Sequence, residues 1–298
     1  MNENQLKSII EEVIREHQLS KEPGREESPS SASVQPVKTD TPETIKEEDS
    51  VTGYRIEDYL VVPDPENKEA YANYKKSTPA RVGIWRSGPR YTTPTYLRFR
   101  ADHAVAQDAV FTDVSDELIE ANGWQKLQTL VADKDEYLTR PDLGRKLDEE
   151  SVEVLRKLNA TPPTVQVYVA DGLSSTAIET NAVDALKTIE MGLKNQGIQM
   201  GTPFFLKYGR VPSMDQVSEL TGAQVTAVLI GERPGLATGE SMSCYMIYQG
   251  KVGNPESSRT VISNIHQSGT PAVEAGAHIA EIIQKILHEK KSGVDLKL

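Results

Sequence analysis

Cysteine occurs once in this chain, at Cys244. A single thiol excludes an intrachain disulfide and a cysteine zinc cluster, and gives no sign of a secreted, disulfide-stapled fold. Long apolar runs are missing too: nothing approaches the about 18 consecutive residues that a membrane span needs. The N-terminus has neither the cationic start nor the apolar core of a secretory signal. Positive charge is in deficit. Against 33 Lys and Arg stand 44 Asp and Glu, a net charge of −11. A phosphate backbone selects the opposite balance, so nucleic acid is not the expected partner. No Walker loop is present, and no Gly-x-Gly-x-x-Gly follows a strand-like run, which removes the usual mononucleotide and dinucleotide sites. Apolar residues make up 37% of the chain. That share is below the globular norm, and it points to a stretch that does not fold.

Such a stretch is visible. Residues 1–19 form an amphipathic segment, with Leu6, Ile9, Ile10, Val13 and Ile14 at helical spacing. Residues 20–53 are then rich in Ser, Pro, Glu and Lys, and the first aromatic residue of the chain is Tyr54. A segment of that composition cannot offset its ordering entropy by burial and reads as a disordered linker. The helix before it either packs back on its own domain or docks on another protein. Residues 54–160 read as a mainly helical domain, with helices expected over Asp64–Lys76, Pro94–Gln107, Asp116–Ala121 (capped by Ser115) and Pro141–Leu158. Thr161-Pro-Pro-Thr164 breaks that pattern. Residues 161–298 alternate strand-like and helix-like runs, the signature of a Rossmann-like α/β domain.

Polar, glycine-rich loops follow the apolar runs of this second half. Val165–Ala170 leads into Asp171-Gly-Leu-Ser-Ser175, Phe204–Tyr208 into Gly209-Arg-Val211, Val225–Ile230 into Gly231-Glu-Arg-Pro-Gly235, and Val261–Ile262 into Ser263-Asn-Ile-His-Gln-Ser-Gly-Thr-Pro271. If the strands lie parallel in one sheet, these loops meet at its carboxyl edge, where open α/β sheets bind ligands. Arg210 and Arg233 directly follow strands and can fork onto carboxylate, amide or phosphate oxygens. Glu232 sits beside Arg233, in an arrangement that an incidental ion pair also explains. Nucleophile and metal signals are weak. Gly239-Glu-Ser-Met-Ser243 lacks the last glycine of a hydrolase elbow. Cys244 falls inside a strand and reads as a buried small apolar group. Glu274 and His278 share a helix face without a third ligand. The residues alone point to a large polar ligand held by these loops; the competing readings are a stand-alone α/β enzyme acting on a phosphorylated or carboxylated metabolite through Arg210 and Arg233, and a scaffold whose working part is the N-terminal helix.

The chain resembles the small (light) subunit of bacterial ethanolamine ammonia-lyase across about residues 65–298. The matching stretches are Tyr137-Leu-Thr-Arg-Pro-Asp-Leu-Gly-Arg145, Asp171-Gly-Leu-Ser-Ser175, Gly201-Thr-Pro-Phe-Phe205, Tyr208-Gly-Arg-Val211, Gly231-Glu-Arg-Pro-Gly-Leu236, Ser243-Cys-Tyr245 and Ile262-Ser-Asn-Ile-His-Gln267. The resemblance implies a required subunit of an adenosylcobalamin-dependent lyase that converts ethanolamine to acetaldehyde and ammonia. It implies a large (β/α)8-barrel partner that holds the substrate, with the cofactor sandwiched at the subunit interface. Cofactor-lining positions of the family fall on Val211, Glu232 and Val261. Arg210, Arg233, Ser263 and Asn264 flank them and are added as candidates. No catalytic residue and no metal ligand is expected on this chain. Asn264-Ile-His266-Gln-Ser-Gly269 echoes an Asp-x-His-x-x-Gly cobalt-ligating motif, but Asn cannot supply the negative charge behind the histidine. The resemblance also implies a bacterial microcompartment as the setting; joined to it, the amphipathic segment 1–19 and its linker have the form of a targeting helix for shell or cargo proteins.

Overall fold

The computed structural model describes residues 60–78, 80–159 and 161–297. The targeting helix and linker expected over 1–53 lie outside these residues. Two compact units are present among them. The smaller takes in residues up to 106 together with Gly235–Ala237, and the larger takes in Gln107–Pro234 and Thr238 onward.

The smaller unit holds helix α1 (Lys68–Lys76), a short hairpin of β1 (Arg86–Ser87) and β2 (Arg90–Tyr91), and most of helix α2 (Thr93–Phe111). Asn67 caps α1 by accepting the Ala70 N–H at 2.9 Å, yet α1 buries none of its residues. Ring and guanidinium contacts organise the unit: Tyr91 meets Phe99 edge-on at 5.1 Å, and Arg81 lies 4.7 Å over Phe99 while pairing with Asp102.

The larger unit is a mixed α/β structure around one six-stranded sheet. Its elements in chain order are α3 (Asp116–Ala121), β3 (Gln125–Gln128), α4 (Lys134–Thr139), α5 (Glu149–Leu158), β4 (Val165–Ala170), α6 (Ser175–Asn195), β5 (Phe204–Lys207), α7 (Ser213–Thr221), β6 (Val225–Gly231), β7 (Met242–Tyr248), β8 (Thr260–Ile265) and α8 (Ala272–Glu289). The sheet order is β3-β5-β4-β6-β7-β8. The first four of these are mutually parallel, and β7 is antiparallel to both β6 and β8. The four strands that precede the glycine-rich loops are parallel to one another, and β7 is an antiparallel strand inserted among them. Because β7 reverses direction, β8 again runs with β4, β5 and β6, and all four glycine-rich loops emerge at one edge.

Burial explains the layers. Every residue of β4 and of β6 is buried, as continuous apolar runs require when both sheet faces are covered. One face carries α6 and α8 over Val165, Val167, Ala227, Leu229, Cys244 and Met246. The two helices approach closely because a Cβ at Gly192 would stand 2.6 Å from Ala280 Cβ, and one at Gly276 would stand 2.6 Å from the Ala185 carbonyl oxygen. The other face carries α5 and α7 over Tyr168, Phe204, Leu206, Val228 and Ile247. Among the described residues no helix is long and apolar enough to cross a membrane.

Three local readings are corrected. The Pro141–Leu158 helix is instead a 3-10 turn at Leu143–Arg145 and a helix that starts at Glu149. Lys146 is extended between them, its carbonyl accepting the Leu130 N–H at 2.9 Å, and Asp148 caps α5 by accepting the Ser151 N–H at 2.7 Å. Pairing with the chain that leaves β3 outweighs helical spacing there. Ser115 occupies the cap position of α3 but makes no side-chain bond; its backbone N–H donates to Glu179 Oε1 at 2.8 Å. Residues 125–128 form a strand, β3, inside a region read as mainly helical.

Candidate functional site

The sheet's carboxyl edge is built around Asp171, the residue that follows β4. The crossover after β4 leaves on the α6 face and the one after β5 on the α7 face, so the edge opens between these two strands, where such sheets take ligands. Here the opening is laced shut. Asp171 is buried, and its carboxylate accepts backbone N–H groups from Gly172 at 2.9 Å, Tyr208 at 2.9 Å and Gly209 at 3.2 Å. Burial pushes its pKa up to about 6 against the pull of those donors. Gly172 (φ +59°) then passes so near the end of β6 that a Cβ would collide with the Gly231 carbonyl.

Arg210 serves this scaffold. Its Nη2 donates to the Tyr137 carbonyl at 2.6 Å, its guanidinium stacks 4.0 Å over the Tyr137 ring, and its backbone N–H donates to the Gly144 carbonyl at 2.8 Å. The Tyr137 hydroxyl in turn donates to the Gly209 carbonyl at 3.0 Å. Two of the matching stretches, around Tyr137–Arg145 and Tyr208–Val211, are thus two sides of one contact.

Among the described residues, one face of the edge strand β8 is left open. Strands β7 and β8 are backed by α8 on one face, while on the other face Val261 is 42% exposed and Ser263 is exposed. Tyr245 of β7 is registered against Val261, which places the two side chains on the same face. The Tyr245 hydroxyl reaches the loop after β6 and donates to Glu232 Oε1 at 2.9 Å. Glu232 is partly buried, and its backbone N–H donates to the Ser241 carbonyl at 2.9 Å. Val211, at the approach to α7, packs partly buried on the same core cluster as Tyr245.

An ion pair secures the frame. Arg259, just before β8, pairs through Nη2 with Asp215 of α7 at 2.7 Å, both side chains being 5% exposed or less. Arg259 also pairs with the exposed Glu256. Beside Pro212 lies a cavity of about 410 Å³ lined by residues that include Leu143, Lys146, Gln216, Val252 and Glu256.

The structure therefore brings Glu232 and Val261 together through Tyr245 and sets Val211 on the same side of the sheet. It turns Arg210 to the Tyr137 segment, and it leaves Arg233 exposed while Glu232 bonds Tyr245 instead. Asn264 holds a left-handed conformation (φ +63°) and contacts the buried His266, Oδ1 to Nε2, at 2.7 Å. Cys244 is fully buried, and burial pushes its thiol far above the range in which a thiolate forms. Sequence reasoning passed over Tyr245, Asp215 and Arg259. Tyr245 was open to detection, because strand alternation puts it opposite the core-facing Cys244.

The model of the ethanolamine ammonia-lyase light chain matches residues 68–297. The chain belongs to this family. It is 52% identical over 300 residues to the ethanolamine ammonia-lyase small subunit of Fusobacterium nucleatum, with the whole of both chains covered. It is 50% identical to that of Listeria innocua, again over the full length of both, and 51% identical to that of Clostridium tetani, over all of this chain and 99% of the relative. The chain is thus part of a lyase complex, and a small subunit implies a larger partner subunit.

Proposed function

We propose that this chain, as a small subunit of ethanolamine ammonia-lyase, completes the adenosylcobalamin site at its interface with the large (β/α)8-barrel subunit. The observation that carries the reading is the exposed face of β8, at Val261 and Ser263, beside the Tyr245–Glu232 contact. A corrin is a broad ring fringed by amide arms, so it needs apolar wall and hydrogen-bonding groups side by side. Val211 and Val261 are the wall, and the Glu232 carboxylate accepts from amide N–H groups. Exposed Arg233 and the polar Ser263 and Asn264 stand at the rim as donors to amide carbonyls. These residue types fit the group.

When bound, the cofactor supplies a cobalt–carbon bond whose cleavage starts the radical chemistry. This chain's residues bind and orient it and exclude water from its flank; they hold no catalytic role of their own. The parallel strands β5, β4 and β6 serve as the rigid platform from which the contacting loops project. The substrate and its reacting atoms belong to the barrel subunit.

Ammonia release from ethanolamine is the test, with adenosylcobalamin and this chain alone, the large subunit alone, or both. Activity only in the mixture is expected. Equal activity of the large subunit with and without this chain would overturn the proposal. The microcompartment setting rests on residues 1–19. Removing them should leave turnover intact and shift the enzyme from shell-associated fractions to the bulk cytosol; unchanged co-purification with shells would refute that part.

A further inference from the structure

We propose that Tyr245 is a positioning residue of this site: its hydroxyl fixes the Glu232 carboxylate in the orientation that meets the ligand. The proposal rests on the reading of Glu232 as a cofactor contact and adds the group that makes this contact effective.

Glu232 leaves the sheet immediately after β6, at the start of a loop rich in Gly and Pro, and the Ser241 carbonyl holds its backbone. A backbone anchor does not choose a rotamer. A glutamate carboxylate left to itself samples several, and binding then carries the cost of freezing one. Tyr245 removes that freedom beforehand. Its ring is set by strand β7, by its register against Val261 and by packing on the core cluster beneath, so the hydroxyl is delivered from a rigid element rather than from a loop. The bond, 2.9 Å to Oε1, engages one carboxylate oxygen and leaves the other for a ligand.

The phenol is suited to the task in charge state as well as in place. Burial, with the negative charge of Glu232 next, pushes its pKa up to about 12. It therefore remains a donor across the physiological range and never presents a second anion to Glu232. The same side chain places Glu232 and Val261 on one wall, an acceptor beside an apolar surface.

A double-mutant cycle on the complex with the large subunit tests this, with the dissociation constant of hydroxocobalamin read by equilibrium dialysis. Tyr245→Phe keeps the ring and removes only the oxygen. Affinity should fall by about tenfold, the size of one hydrogen bond to a charged group, with the thermal midpoint and subunit assembly unchanged. In the Glu232→Ala background the same substitution should have no further effect, because there is no carboxylate left to orient. Additive losses would overturn the proposal, since Tyr245 would then act independently of Glu232. Full affinity in Tyr245→Phe with weakened binding in Glu232→Ala would overturn it too, while sparing Glu232 as a contact. Full affinity in Glu232→Ala would remove the underlying reading itself. If Tyr245→Phe lowers the melting point, Glu232→Gln serves as the second background. Its side-chain oxygen still accepts from Tyr245, so loss of the hydroxyl should still cost several-fold, and equal binding with and without it would reject the positioning role.

Discussion

Strands β4 and β6 and strands β7 and β8 belong to one sheet but are finished differently. The first pair is buried along its whole length, under α6 and α8 on one side and α5 and α7 on the other. In the second pair β7 is still almost wholly buried, while the edge strand β8 is backed on one side and presents Val261 and Ser263 uncovered on the other. Among the described residues, the open face of β8 is where that layer is incomplete.

Substitutions can break this contrast. Leu229→Ala, in the middle of β6, removes a fully buried side chain and should cost about 2–5 kcal/mol of stability by chemical denaturation. Val261→Ala is the matched change in the open half and should cost under about 1 kcal/mol in the isolated chain. Equal costs would show that the two halves are packed alike. Arg259→Leu leaves Asp215 buried without its partner and should destabilise by about 3–5 kcal/mol, read as a fall in the denaturant midpoint. Glu232→Ala should leave the fold in place and weaken cofactor binding in the assembled enzyme by about 1–3 kcal/mol.

A further effect is electrostatic and is read against pH. Asp171 has a folded-state pKa near 6, raised above its ordinary value of 3.8. The folded state therefore binds the proton more tightly than the unfolded state does. Its contribution to stability is fully present below about pH 3.8 and declines as pH rises toward 6, with a slope of at most about 1.4 kcal/mol per pH unit. Comparing the pH dependence of unfolding with that of Asp171→Asn isolates this slope. Identical profiles would show that the three backbone donors cancel the effect of burial.

The covered half was the more legible in sequence. Val165–Ala170 and Val225–Gly231 are nearly unbroken apolar runs, and the helices between them carry their own stops, such as Gly222 in a left-handed turn after α7. Strand β3 escaped because Gln125-Lys-Leu-Gln128 offers one core residue, Leu127, as an edge strand with little to bury does. The start of α5 escaped because Leu143 and Leu147 keep a helical spacing that the chain does not use. Within the site, Val211, Glu232 and Val261 came from family resemblance, whereas the tie among them depends on strand register. Neither the Tyr245–Glu232 bond nor the Asp215–Arg259 pair joins neighbours in the chain, so no local pattern announces them.

The Asp215–Arg259 pair has a consequence for stiffness. It is a strut between the helix that begins just after Val211 and the strand that carries Val261. Helix and strand are braced at that point by charge and not by apolar packing alone, so a displacement of one is carried to the other.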